Sequence, residues 1–148
     1  AKGIALRVTR CAAASPACEH FFGDPVRIGQ IVKNLALNAV RYTPAGGSIS
    51  IDCSRRAGQL QVTVSDSGPG VKPDEAADIF KPRFRGAAAG GTPGSGHGLA
   101  IVKEFVERQG GTVEMASLSP SGASFCVRLP GETADANGAE VSRVLVQP

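Results

Sequence analysis

Pro25-Val-Arg-Ile-Gly-Gln-Ile-Val-Lys-Asn34-Leu-Ala-Leu-Asn38-Ala-Val-Arg41-Tyr42-Thr-Pro44 has the period of an amphipathic helix, with two asparagines near its middle. Asp24 stands where a carboxylate can cap free amides, and Pro25 is tolerated in a first turn. Pro44 and the Gly46-Gly47 pair stop the pattern, so the helix is predicted over Pro25–Tyr42. At about 100° per residue, Ile28, Val32, Leu35 and Ala39 fall on one apolar stripe that must face a core. Arg27, Gln30, Asn34, Asn38 and Arg41 form a second stripe, about 100° around the axis. A polar stripe beside a core stripe is ordinarily solvated surface, and that reading stays open here. Asparagine, however, prefers caps and turns to helix interiors, so two of them four residues apart call for a reason. They place two neutral carbonyl oxygens on one face, and Arg41 adds a cation one turn later. Such a set suits Mg²⁺ carrying a polyphosphate, because Mg²⁺ takes few protein ligands and keeps waters and phosphates.

Downstream, Ser48–Ser54 and Leu60–Asp66 alternate as two strands joined by a turn at Ala57-Gly58. The second strand runs into Asp66-Ser-Gly68-Pro-Gly70-Val71, a carboxylate followed by glycines two apart. The glycines let backbone approach a flat ligand, and Asp66 can accept a hydrogen bond from an exocyclic amine. The plain alternative for this segment is a turn. Pro73–Phe80 reads as a short helix. From Pro82 to His97 the chain holds seven glycines and prolines among alanines, which predicts a mobile loop. That loop ends in Gly94-Ser-Gly96-His97-Gly98-Leu99, which opens a second long helix over His97–Gln109, closed by Gly110-Gly111. Free amides at a helix start, reached through glycines, form a cradle for phosphate. No Lys-Ser/Thr pair follows, as a Walker A loop requires, and no strand precedes, as a dinucleotide fingerprint requires.

Thr112–Ser117 and Ala123–Leu129 read as a closing hairpin; upstream, Ile4–Val8 and His20–Phe22 read as strands. Strands in direct succession with two or three helices among them imply an α+β two-layer sandwich, its helices on one face of a mixed sheet. Residues 1–130 form one domain in this reading, and 131–148 a polar tail. Apolar residues at 42% and charged residues at 20% fit an ordinary soluble globular chain. A net charge of +3, with Lys and Arg scattered, argues against a nucleic-acid partner. No apolar stretch approaches the roughly 18 residues of a membrane span, and Ala1–Arg10 lacks a signal-peptide core. Cys11, Cys18, Cys53 and Cys126 show no metal-binding spacing and read as buried free thiols, which suits a reducing cytoplasm.

In this order and spacing the segments resemble the nucleotide-binding boxes of sensor histidine kinases. Asn34 to Pro44 resembles the N box, Asp66-Ser-Gly68-Pro-Gly70 the first glycine box, and Gly94–Leu99 the second. Ile79–Gly86 resembles the phenylalanine-containing box between them, and Gly122-Ala-Ser124-Phe125 the family's last strand. The likeness runs from about Ile4 to Pro130. It implies the Bergerat ATP-binding fold shared by gyrase, Hsp90 chaperones, histidine kinases and MutL, with a mixed five-stranded sheet and three helices on one face.

The resemblance implies roles residue by residue. Asp66 would bind the adenine amino group, with Ser124 assisting through a water and Gly68, Gly70 and Val71 beside the base. Asn38 would coordinate Mg²⁺ with Asn34 next to it, Arg41 would touch phosphate, and Tyr42 would pack near the base. Pro82–His97 would be the ATP lid, with Gly94, Gly96, His97, Gly98 and Leu99 admitting phosphates to the helix start. ATP-hydrolysing relatives and the anti-sigma-factor serine kinases carry a glutamate general base at position 34. An amide cannot accept that proton, whereas a histidine nucleophile needs no such base. Transfer to histidine is therefore expected, against two alternatives: a stand-alone serine kinase and a non-catalytic ATP-binding module. Two positions depart from the family pattern: Arg83 stands for the first aromatic of the lid pair, and His97 for a leucine.

His20 sits in Cys-Glu-His-Phe-Phe and does not fit a phosphoacceptor. The acceptor is expected on a dimerisation hairpin of the same parent protein, with a response regulator downstream. The isolated domain is expected to be monomeric and cytoplasmic, and the parent to be anchored in the inner membrane or cytoplasmic.

Overall fold

The structure, a computed structural model, describes residues 2–9, 24–56, 58–86, 95–119 and 121–131. The expected strand at His20–Phe22, the cysteines Cys11 and Cys18, Gly94 and the tail from 132 onward lie outside the described residues. The elements are β1 (Ala5–Thr9), α1 (Pro25–Tyr42), β2 (Ser48–Arg56), β3 (Gln59–Asp66), α2 (Gly98–Arg108), β4 (Thr112–Ser119) and β5 (Gly122–Pro130). They form one five-stranded sheet in the order β1-β2-β3-β5-β4. β1 runs parallel to β2, which α1 makes possible as a crossover, and every other pairing is antiparallel. α1 packs on β2 and β3, α2 on β4 and β5, and the two helices pack on each other. The mixed two-layer α+β architecture is therefore the one expected from the pattern of elements.

α1 begins and ends where local chemistry dictates. The Asp24 carboxylate accepts from the amides of Val26 and Arg27 at 2.9 and 3.2 Å, and Pro25 fills the first turn. At the other end Thr43, fully buried, sends both its amide and its hydroxyl to the Ala39 carbonyl, at 2.9 and 2.7 Å. The buried stripe of α1 is Ile31, Leu35 and Ala39, with Ile28 and Val32 half-covered at its margin. Ile31 was not expected in that stripe. The α2 contact on α1 widens the covered arc beyond what the sheet alone would require. Val62 and Val64 of β3 and Phe125, Val127 and Leu129 of β5 meet α1 and α2 in the core, with Val102 and Val106 of α2. Alternation puts Ser65, Ser124, Thr63 and Cys126 on the opposite face of the sheet.

One expected helix is absent. Residues 73–80 form successive turns, with hydrogen bonds from Glu75 to Lys72 at 3.0 Å, Asp78 to Glu75 at 2.9 Å and Lys81 to Asp78 at 2.8 Å. The segment is too short to repay helix nucleation, and Pro82 denies the Asp78 carbonyl its donor four residues on. Two α-helices, not three, thus cover the sheet among the described residues. α2 is one residue shorter at each end than expected, because His97 and Gln109 are its flanking caps. Cys53 is half-buried and Cys126 buried, and neither is in a disulfide.

Candidate functional site

The last turn of α1, the end of β3, the start of α2 and the start of β5 converge on one cavity of about 700 Å³, its open mouth included. α1 contributes Asn38, Arg41 and Tyr42 to its wall. Among the described residues Arg41 has no carboxylate partner, so its guanidinium is free for an anionic ligand.

Asp66 closes β3 and turns into the cavity. One carboxylate oxygen accepts from the Gly68 amide at 2.8 Å, which fixes the side chain across the turn. Burial raises the Asp66 pKa above the ordinary carboxylate value, while hydrogen bonds from the Gly68 and Ala123 amides pull the other way. Position 68 leaves no room for a side chain. A Cβ there would lie 2.7 Å from the Asp66 carboxylate oxygen and 3.0 Å from the Tyr42 carbonyl oxygen. The glycine thus lets the end of α1 and the Asp66 turn touch. Gly70 and Val71 continue the wall beyond it.

Gly96, Gly98 and Leu99 form the wall at the start of α2. Gly96 has φ +72°, and a Cβ there would come within 2.9 Å of the Arg83 and Phe84 backbone. Beyond its own helix, a Cβ at Gly98 would meet nothing within 4 Å among the described residues, and Gly98 lines the cavity. Phe84 is half-buried against the core and also lines the cavity, so the single aromatic of the altered pair is packed. Phe80 meets Phe125 edge to face, with centroids 6.3 Å apart and rings at 83°.

Several expected positions stand elsewhere. Ser124 belongs to the opposite face of the sheet, its hydroxyl 2.8 Å from that of Ser65 and outside the cavity wall. Its neighbour Ala123, directly across from Asp66, lines the cavity instead. Adjacent strand residues point to opposite faces, so Ala123 and not Ser124 shares the face of Asp66. His97 lines a separate groove with Phe80, Lys81 and Pro82 along α2. Asn34 is half-buried one turn before Asn38 and outside the cavity wall, as is Gly68 behind Asp66. Glu75, Ile79, Gly86, Ala123 and Phe125 line the cavity without having been singled out. Ile79 and Gly86 lay within the phenylalanine-containing box; for Ala123 and Phe125 the signal was strand alternation from Asp66's partner.

The polar side chains in the wall are Asn38, Arg41, Tyr42, Asp66 and Glu75. Among the described residues no group of three or more His, Cys, Asp or Glu side chains could enclose a metal.

Residues 23–133 match the family described as histidine kinase-, DNA gyrase B-, and HSP90-like ATPase. The chain is 38% identical over 127 residues to the signal transduction histidine-protein kinase/phosphatase MprB of Mycolicibacterium vanbaalenii, covering 82% of this chain and 26% of that protein. It is 40% identical over 127 residues to the sensor histidine kinase ZraS of Escherichia coli O157:H7, covering 86% of this chain and 26% of that protein. Among solved structures, the mycobacterial sensor histidine kinase MprB superposes with a TM-score of 0.74 at 33% identity, covering 87% of this chain and 84% of that one. The chain belongs to this family of ATPases. Within it, the chain is an ATP-binding domain of the sensor histidine kinase kind. It spans about a quarter of the length of the curated relatives it matches. No helix among the described residues is long and apolar enough to cross a membrane.

Proposed function

We propose that this domain binds ATP with Mg²⁺ and delivers the γ-phosphoryl group to a histidine on a separate dimerisation hairpin of the same parent protein, for relay to a response regulator. The observation that carries the proposal is the pairing, in one cavity wall, of a partly buried carboxylate at Asp66 with a carboxylate-free guanidinium at Arg41. Asp66 accepts a hydrogen bond from the adenine amine and, with Gly70 and Val71, seats the base. Arg41 neutralises phosphate charge, and Tyr42 packs beside the base. The start of α2 offers amides to the phosphates, with Gly96, Gly98 and Leu99 in contact and Gly94 and His97 on the approach. Asn38 would hold a magnesium ion through its amide oxygen, and such an ion would supply charge neutralisation at the phosphate oxygens. Asn34 orients solvent or phosphate without taking a proton.

The acceptor imidazole attacks with a nitrogen lone pair, forming an N–P bond as the bond from the γ-phosphorus to the bridging oxygen breaks, and ADP leaves. With Asn34 in place of a carboxylate, position 34 supplies no base to activate water, which favours transfer over hydrolysis. The domain works in the cytoplasm as a monomer until it meets the hairpin, and the ShkA relative solved full-length with AMPPNP supports an ATP site of this kind.

The test mixes this chain with a separately made cognate hairpin and γ-labelled ATP. Label on histidine, acid-labile and base-stable, supports the proposal. Label on serine would point to a serine kinase, and ATP binding without transfer to a docking module; either result overturns it.

A further inference from the structure

A helix leaves its last carbonyls without intrahelical donors. In α1 the sequence deepens that deficit, because the residue four beyond Val40 is Pro44, which has no N–H to give. The ammonium of Lys2 stands there instead. It donates to the carbonyls of Val40 and Arg41 at 3.0 Å each and of Thr43 at 3.2 Å. Its own backbone is tied to the same corner: the Gly46 amide donates to the Lys2 carbonyl at 3.1 Å, and Ala5 to Gly47 at 2.9 Å. A residue three places before β1 thus holds the peptide units on both sides of Tyr42.

Those units carry Arg41 and Tyr42, both in the cavity wall. The Tyr42 carbonyl, which Lys2 does not bond, lies close to Gly68, whose amide holds Asp66 at 2.8 Å. The charge itself opposes the negative end of the helix dipole.

We infer that Lys2 is a positioning residue for the nucleotide site, acting through Arg41; this role rests on the nucleotide reading proposed above. Lys2 touches no ligand. It sets the last turn of α1, and with it the reach of the Arg41 guanidinium into the cavity.

The experiment measures ATP affinity by calorimetry on the full chain, alongside thermal melting, for Lys2→Met, Lys2→Arg, Arg41→Ala and the double variant Lys2→Met/Arg41→Ala. Lys2→Met is expected to weaken ATP binding about five- to tenfold, in the range of coupled neighbours. Lys2→Arg, which keeps charge and donors, restores most of that loss. In the Arg41→Ala background Lys2→Met adds less than about twofold, because the route runs through Arg41. Equal affinity of Lys2→Met and wild type well below the melting transition overturns the role, as do losses that multiply independently in the double variant. Lys2 is then a helix cap alone. Should Lys2→Met fail to fold, Lys2→Gln, which keeps an uncharged NH2 donor group, takes its place under the same criteria. A wild-type chain that binds no ATP defeats the nucleotide reading and this role together, whereas binding that ignores Lys2 defeats only the latter.

Discussion

The Arg83 amide donates to the Gly96 carbonyl at 3.1 Å, and both residues lie in the left-handed region, with φ +63° and +72°. This one bond closes the chain on itself between Phe84 and the start of α2. A non-glycine residue in that region costs about 1 kcal/mol or more, so Arg83 carries backbone strain that Gly96 does not. Arg83→Gly should leave thermal stability unchanged or raise it. Gly96→Ala should lower it by at least about 1–2 kcal/mol, since the added methyl meets the Arg83 and Phe84 backbone. Gly98→Ala is the contrast: unchanged or slightly higher melting temperature with weakened ATP binding, because its methyl enters only the cavity. A Gly98→Ala protein that melts early would show that position 98 is packed after all.

Asp66 makes stability and binding pull against each other. Its pKa is raised by burial, so the native state disfavours the ionised form. A raised carboxylate costs stability at pH values above its folded pKa, and the cost vanishes below the unfolded value near about 3.9. Asp66→Asn should therefore melt no earlier than wild type at neutral pH, with a gain under about 1 kcal/mol because the carboxylate is partly solvated and screened. That gain should shrink to nothing as pH falls through the carboxylate range. ATP affinity should drop at least about tenfold at neutral pH, since the carboxylate no longer faces the amine. Melting curves and calorimetry at two pH values check both halves; a variant that is less stable at neutral pH would contradict the sign.

Arg41→Ala separates phosphate from base. Loss of a charge-assisted contact should weaken ATP about tenfold or more while leaving adenosine binding within about twofold. Equal losses for both ligands would place Arg41 beside the base instead.

α1 could be read to the residue because its limits are local: Asp24, Pro25, Thr43 and Pro44 cap and stop it with their own side chains. The strands were legible for the same reason, alternation being a property of neighbours in sequence. What escaped depended on distant partners. The turn at 73–80 looked helical until Pro82 was counted as a missing donor. The covered arc of α1 needed α2 to define it. The Lys2 contact joins residues 38 to 41 apart in sequence, and no local pattern announces it. The role of Ser124 came from the resemblance to the family's last strand, not from the local pattern. Only the pairing of Asp66 with Ala123 says which neighbour shares its face.

That pairing yields its own test. Ala123→Leu should fill the cavity beside Asp66 and abolish measurable ATP binding in a folded protein, although the larger side chain will cost some stability. Ser124→Ala should bind ATP as wild type does and lose only the hydroxyl contact with Ser65, about 0.5–1 kcal/mol. A Ser124→Ala protein with impaired binding would return the serine to the site.

The antiparallel match of Asp66 with Ala123 also constrains how this site can change over evolutionary time. Substitutions at either position retune the pocket one side chain at a time. A single-residue insertion or deletion in β5 before Ala123 would exchange the two faces of the strand at once. It would present the hydroxyl of Ser124 to the ligand and turn Phe125 out of the core. Ligand preference in this domain can therefore drift through point mutation, while changes of length are filtered out at this strand by the loss of the fold itself.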